Sequence, residues 1–266
     1  MPRRPARPSL VPFLCFVCAL ALATGCTTVG GRSDDRAVPG RELSAAELRT
    51  AAVTDADLGS GYTVTVMTPG HGDTGQGSGR ETSDVPACQP LLDAVAPGGG
   101  AGPGSAPPGA GLPYAETDLS VARAADPGGA AYGALVGYRS GRAAQVQAEL
   151  EKLFGPCAVF TSTAPPPPAE RGKKGAQSTH TRHRLAQADT PTPEGADAAT
   201  GFTLTNESGT AVLSQRAVLA RVGPALAVFT TFGVTSEPAA APDERIVRQQ
   251  VAKLRAAQAR TAQSKK

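Results

Sequence analysis

The C-terminal third of the chain contains the pattern that most constrains its fold. Two long segments rich in β-branched and small apolar residues, Val212–Val222 and Ala225–Val234, are separated only by Gly223-Pro224. Such segments favour strands, and a Gly-Pro dipeptide between them marks a tight turn. Strands joined by so short a connection pair antiparallel. The chain is therefore predicted to contain an antiparallel sheet.

Further strand-like segments set the fold class. Residues alternate in Tyr62–Met67, so that Tyr62, Val64 and Val66 share one face. Strands are also predicted at Ala115–Val121, Ala131–Tyr138, Ala158–Thr163, Phe202–Asn206 and around His183–Ala188. A turn is predicted at Asp126–Gly129. Because the strands follow one another without a βαβ rhythm, the predicted fold class is α+β, an antiparallel sheet with helices packed on it.

Helices are predicted from their caps and apolar stripes. Ser44 and Glu47 have the spacing of a capping box at the start of a first helix. A short helix is predicted at Cys88–Val95, a longer one opens at Ser140, and the last begins near Pro242. The longer helix carries one apolar stripe, formed by Ala143, Val146, Leu150 and Leu153.

The first 25 residues have the layout of a secretory signal peptide. Arg3, Arg4 and Arg7 form a basic start, and Leu10–Ala23 follows without a charged residue. This apolar run is shorter than the ~20 residues that a membrane-spanning helix needs. We therefore expect a cleaved signal peptide over residues 1–25 rather than a permanent transmembrane anchor.

The segment Leu22-Ala-Thr-Gly-Cys26 resembles the lipobox of bacterial lipoproteins. The resemblance implies that Cys26 becomes the first mature residue and carries a diacylglyceryl group, whose acyl chains such as palmitate hold the protein on the extracytoplasmic face of the cell membrane. The expected layout is a flexible tether over 26–42, one folded domain over 43–260 and a basic tail over 261–266. A cleaved signal followed by an incidental cysteine is the alternative.

The cysteines agree with export. Of the five, Cys15 and Cys18 lie in the leader and Cys26 is assigned to lipid. Cys88 and Cys157 remain, and two cysteines in an oxidising compartment normally form a disulfide. The alternative is a pair of buried free thiols.

The charge balance excludes one class of partner. Removal of the leader leaves 23 basic and 23 acidic residues. A net charge near zero argues against binding of nucleic acid, which needs a concentrated basic face. Basic residues concentrate in 171–184 and 253–266, where they either add attraction to an anionic membrane or form a solvated loop and tail.

Motifs for catalysis, metal binding and cofactor binding are missing from the sequence. His71 falls in a Gly-rich loop, and His180 and His183 are predicted in a basic loop with no nearby acid or cysteine. The nucleophile elbow, the His-Glu-x-x-His motif and the phosphate-binding loop are absent. The chain is therefore expected not to be an enzyme and to hold neither a metal nor a cofactor.

Short motifs in a fixed order resemble a known family. They are Leu43-Ser-Ala-Ala-Glu-Leu48, Pro86-Ala-Cys88 before a short helix, and Val136-Gly-Tyr-Arg-Ser140 running into a helix that reaches Cys157. Together they resemble the PknH-like extracellular sensor domain, which occurs on some actinobacterial kinases and as free-standing lipoproteins. The resemblance spans about Leu43–Arg260. It implies a sheet with helices, a cleft, ligand sensing without catalysis and a disulfide between the two cysteines of the domain; the family's second cysteine pair and its tryptophans are missing here.

The predicted function is that of a membrane-anchored sensing or ligand-binding domain at the cell surface. Its expected partners are the membrane, through the lipid anchor, and an unidentified small molecule, cell-wall component or protein. The alternative is a carrier that encloses a lipid or glycolipid. A large, dry, apolar cavity favours the carrier, whereas a shallow polar cleft favours sensing.

Overall fold

A computed structural model of the protein describes residues 40–67, 81–95, 114–166, 173, 175, 177–234 and 237–263, without the side chains of 126–129 and 261–263. Cys26, the predicted signal peptide and the last three residues of the predicted basic tail lie outside the described residues, as do the first fourteen residues of the predicted tether.

Nine strands and five helices lie in the described part of the chain. The strands are β1 Tyr62–Met67, β2 Thr82–Ser83, β3 Ala115–Arg123, β4 Asp126–Gly137, β5 Val159–Ala164, β6 Thr179–Ala188, β7 Ala198–Ser208, β8 Ala211–Val222 and β9 Ala225–Val234. The helices are α1 Ala45–Ala51, α2 Asp55–Leu58, α3 Gln89–Val95, α4 Arg142–Leu153 and α5 Glu244–Gln263, and a 3₁₀ turn at Pro86–Cys88 precedes α3.

The strands form one antiparallel sheet, in the order β1-β3-β4-β9-β8-β7-β6-β5-β2. The sheet and its few helices confirm the mixed α+β character predicted from the strand pattern. The β8–β9 connection is the tight Gly223-Pro224 turn, where Gly223 has a φ of 55°. That left-handed conformation suits glycine because it has no Cβ.

Helices cover opposite faces of the sheet. Neighbouring residues of a strand point to opposite faces. In β8, Val218, Ala220 and Val222 pack with α1, α2 and α5 in one apolar cluster. Ala217 and Leu219 belong to a second cluster, which includes residues of α3 and α4. The core therefore has two layers of helix, one on each side of the sheet.

Local signals place the ends of several helices. The Ser44–Glu47 capping box is present, with Ser44 N–H donating to Glu47 Oε2 at 2.9 Å. The hydrogen bond from Arg41, followed by those from Ser44, lowers the pKa of Glu47 to about 2. Helix α4 begins after Gly141 rather than at Ser140, because the Ser140 N–H donates to Glu42 Oε1 at 2.9 Å and holds that residue outside the helix.

Two loop predictions are wrong. The turn expected at Asp126–Gly129 lies at residues 124–125, because Asp126 already pairs with Arg123 across β3 and β4. The strand predicted around His183–Ala188 is confirmed as part of β6, but β6 begins at Thr179, so His180 and His183 lie in a strand and not in a basic loop. The charged side chains of β6 are on its exposed side. Thr82–Ser83 forms the short edge strand β2, which pairs with β5.

A disulfide joins Cys88 to Cys157. Both residues are fully buried, Cys88 just before α3 and Cys157 just after α4. The Cys157 N–H donates to the Leu153 carbonyl at 2.8 Å, which fixes the chain at the end of α4. The bond thus ties together the two helices that cover this face of the sheet. None of the helices among the described residues is long and apolar enough to cross a membrane.

Candidate ligand-binding cleft

A cleft of about 420 Å³ opens beside the C-terminal turn of α4, where β6 ends and β7 begins. Its lining residues come from one helix, the end of one strand and the start of the next: Glu151, Gln187, Ala188, Asp189, Thr190, Ala199, Thr200 and Gly201. The antiparallel pairing of β6 with β7 sets Ala188 opposite Gly201 and so brings the two strand segments together. Sequence reasoning singled out none of these residues, because they adjoin in space but not along the chain.

Glycine is required on one wall of the cleft. A Cβ at Gly201 would lie 1.8 Å from Thr190 Oγ1 and 3.1 Å from the Ala188 carbonyl oxygen. Thr190 Oγ1 donates to the same carbonyl at 3.3 Å, which holds the segment after β6 against β7. Any larger residue at position 201 therefore displaces the wall formed by Asp189 and Thr190.

Buried hydrogen bonds build the floor of the cleft. Thr200 is only 5 % exposed. Its Oγ1 donates to Glu151 Oε1 and accepts from Gln147 Nε2 at 2.7 Å. Because Gln147 is itself buried on the inner side of α4, the carboxylate of Glu151 is held by a fixed polar chain.

The same polar chain continues below the cleft towards α5. Gln147 Oε1 accepts from Arg221 Nε at 3.2 Å, and Arg221 Nη1 lies 3.2 Å from Asp197 Oδ2. Asp197 also accepts from the Gly223 N–H at 2.6 Å and from the guanidinium of Arg255 on α5. A contiguous set of hydrogen bonds therefore links the cleft floor to the C-terminal helix.

The cleft is polar and negatively charged. Glu151 and Asp189 are the ionisable residues of its lining, and both are exposed to solvent. The remaining lining consists of an amide, two hydroxyls, two alanines and a glycine, so large apolar side chains are absent from this lining. Such a surface can bind a polar molecule through hydrogen bonds, whereas it offers little to an acyl chain.

A second polar cluster surrounds His183, which is 2 % exposed in β6. His183 Nε2 lies 2.6 Å from Ser162 Oγ, and His183 Nδ1 lies 2.7 Å from Asn206 Oδ1. The ring stacks on Phe160 with 4.7 Å between centroids. The carboxylate of Glu81 accepts a hydrogen bond from Ser162 and lies 3.5 Å from His183 Nε2. These contacts, that of His183 first, lower the pKa of Glu81.

This cluster fastens the edge strand β2 to the sheet. A serine, a histidine and an orienting amide in hydrogen-bond contact resemble a nucleophile with its base. Ser162, however, is only 1 % exposed, and its hydroxyl donates to Glu81, so the oxygen is closed to a substrate. The sequence feature that indicates a buried His183 is the alternation of His183 and Leu185 with Arg182 and Arg184. It is easily overlooked because the segment is rich in basic residues.

Two carboxyl groups on β3 lie on one face of the sheet, since Glu116 and Asp118 are two residues apart. Burial, followed by repulsion from Asp118, raises the pKa of Glu116 to about 7. Burial also raises the pKa of Asp118. Tyr138, partly buried beside them, has its pKa raised to about 12 by burial and by Glu116.

The residues singled out from the sequence do not form the cleft. The disulfide of Cys88 and Cys157 lies in the apolar cluster beneath α3 and α4, and Cys26 lies outside the described residues. Across the described ranges, no group of three or more histidine, cysteine, aspartate or glutamate side chains is arranged to hold a metal ion.

Comparison with known proteins yields structural likeness at low identity. No protein-family model matches the chain, and no curated protein matches its sequence. The structure is similar to the extracellular domain of PknH from Mycobacterium tuberculosis, with 14% identity and a TM-score of 0.48, over 83% of this chain and 99% of that domain. It is also similar to a putative uncharacterized protein, the Rv0999 ortholog, from Mycobacterium smegmatis, with 12% identity and a TM-score of 0.36, over 80% of this chain and 98% of that one. Scores at this level assign neither a family nor a function to the chain.

Proposed function

We propose that this protein is a lipid-anchored extracytoplasmic protein whose folded part senses or binds a polar ligand without transforming it. The observation that carries the proposal is the open polar cleft, with Glu151 held in its wall by the buried Thr200 and Gln147. A carboxylate fixed by a buried polar chain is preorganised for binding, because little side-chain entropy remains to be lost.

The lining of the cleft supports binding of a polar ligand over carriage of a lipid. A lipid carrier needs a large apolar cavity to replace the water around acyl chains. Here the apolar part of the lining comes from Ala188, Ala199 and Gly201, which offer little surface. The lipid or glycolipid carrier is therefore the second candidate.

The proposed location rests on the sequence of the N-terminus. The leader and Leu22-Ala-Thr-Gly-Cys26 have the pattern of an exported, lipidated protein. The lipid on Cys26 would make the membrane a permanent partner, and the ligand would come from the cell envelope as a small molecule, a wall component or a protein segment.

Native mass spectrometry of the full chain, extracted in mild detergent from the membranes of its own host, tests the binding function. The expected result is a population that carries a small polar molecule in addition to the acyl modification. The Thr200→Val variant removes the hydroxyl beneath Glu151 and should lose that molecule. Thr203→Val, on the opposite face of the same strand, should retain it.

Two outcomes would contradict the binding proposal. An additional lipid that survives in Thr200→Val would favour the carrier, and protein that is always free of ligand would remove the sensing function. The anchor is tested separately with Cys26→Ser, which should move the protein from the membrane fraction to the medium or leave it unprocessed. Membrane retention of that variant at its original mass would refute lipidation.

A further inference from the structure

We infer that the cleft selects an organic cation with N–H donors, a primary ammonium or a guanidinium group; this inference rests on the proposed ligand-binding function. Three properties of the lining lead to it: the hydrogen-bond acceptors that remain unused, the donors that are already engaged, and the sign of the charge.

Acceptors dominate what the cleft offers to a ligand. A carboxylate has two oxygens and about four lone-pair positions. Glu151 uses one of them for Thr200, so most of its capacity faces the cleft. Asp189 also lines the cleft and is exposed, so its carboxylate is a second acceptor group.

Most side-chain donors of the lining are already engaged. The single proton of the Thr200 hydroxyl goes to Glu151, and that of Thr190 goes to the Ala188 carbonyl oxygen. Among the lining side chains, the amide of Gln187 is the donor left for a ligand. A ligand rich in acceptors would therefore lose hydrogen bonds to water without replacing them, which disfavours its binding.

The negative charge of the cleft also favours a cationic ligand. Two carboxylates and no basic residue line it. Of the nearby guanidinium groups, Arg221 is held by Gln147 and Asp197. Arg216 pairs with Thr203 across β7 and β8, on the face of the sheet opposite Thr200, and reaches only the main-chain oxygen of Asp189. An anion would thus meet like charge, whereas an ammonium group would meet two opposite charges.

The size of the cleft favours an organic molecule over a bare metal ion. A volume of about 420 Å³ lies within the range of small-molecule sites. Oxygen donors also suit Ca²⁺, which takes six to eight oxygen ligands at close range, and calcium is therefore one arm of the test. A diamine or an amino sugar would fill the space and supply the missing donors.

Hydrogen–deuterium exchange and calorimetry on the full chain in mild detergent test the inference with named probes. They are putrescine, glucosamine, glucose, inorganic phosphate, citrate and CaCl₂. Putrescine and glucosamine should protect the peptides that cover 187–201, and the other probes should not. Glu151→Gln and Asp189→Asn should each weaken amine binding by roughly three- to ten-fold, the scale of one exposed charge-assisted hydrogen bond.

The matched control is Glu149→Gln, on the exposed side of the same helix and paired with Arg142. It should bind putrescine as the unchanged protein does. An equal loss of amine binding in Glu149→Gln would overturn the choice of an organic cation as ligand. Protection by phosphate, citrate, glucose or Ca²⁺ in place of the amines would overturn it as well, while the proposal that the cleft binds a ligand would stand. No effect of any amine would also overturn the choice of ligand. The proposed function is tested separately by native mass spectrometry, and it falls if that measurement finds no ligand at all or a lipid that survives in Thr200→Val.

Discussion

The Glu116→Gln substitution should stabilise the protein at alkaline pH. Burial raises the pKa of Glu116 from its ordinary 4.5 to about 7, so the folded state disfavours the carboxylate. One pKa unit corresponds to about 1.36 kcal/mol, which gives about 3.4 kcal/mol for a fully buried group. Glu116 keeps some contact with solvent, and screening reduces the expected gain to roughly 1–2 kcal/mol.

The pH dependence separates this cause from a change in packing. Between pH 4.5 and about 7 the folded state binds more protons at Glu116 than the unfolded state does, so the free energy of unfolding falls as the pH rises. Below 4.5 the side chain is protonated in both states. The gain of Glu116→Gln should therefore be complete at pH 8 and vanish below pH 4.

Urea unfolding followed by far-UV circular dichroism measures the effect, since the chain contains no tryptophan. The control is Glu194→Gln, at an exposed position, which should leave the midpoint unchanged at both pH values. A Glu116→Gln protein that is no more stable than the unchanged protein at pH 8, or that gains equally at pH 4, would refute the assignment of a raised pKa to this buried carboxyl.

Three further predictions concern the supports of the fold and the cleft. Replacing both Cys88 and Cys157 by Ala removes a disulfide whose cysteines are 69 positions apart. On the chain-entropy model this should reduce the free energy of unfolding by up to about 4 kcal/mol. Two alkylatable thiols in the native protein would contradict the disulfide. Glu81→Gln should lower the free energy of unfolding by about 1 kcal/mol at pH 7. Because the hydrogen bond with His183 lowers the pKa of Glu81 in the folded state, this loss should shrink as the pH falls from 4.5 through the folded pKa. An undiminished loss at low pH in urea titrations would count against the contact between the Glu81 carboxylate and His183. Gly201→Ala should reduce the free energy of unfolding by roughly 1–3 kcal/mol through overpacking against Thr190, and native mass spectra should show no bound ligand. The control is Gly209→Ala, at an exposed position with a φ of 58°, which should lower stability but leave binding intact.

Elements defined by neighbouring residues could be predicted from the sequence. The capping box at Ser44 and Glu47, strand β1 and the Gly223-Pro224 turn all depend on contacts within a few positions, and the structure has each of them. Only the His183–Ala188 part of β6 was predicted as a strand, because the basic residues of this segment obscure the alternation of a strand that has one buried face. The turn between β3 and β4 lies before the predicted Asp126–Gly129 segment, because pairing of Asp126 with Arg123, and not the local Pro-Gly sequence, determines where β4 begins.

The sequence by itself determined the class of fold, and it supplied the pattern from which we propose export and lipidation at Cys26, since signal peptides are recognised as linear segments. Only the tertiary structure decided where polar groups meet. Glu151, Asp189 and Thr200 come from α4, the end of β6 and the start of β7, and antiparallel pairing of β6 with β7 brings them around one cleft. The same pairing buries His183 against Ser162 and Asn206. Hydrogen bonds and burial depend on which residues are close in space, and the periodicity of a sequence does not show which distant segments of the chain meet.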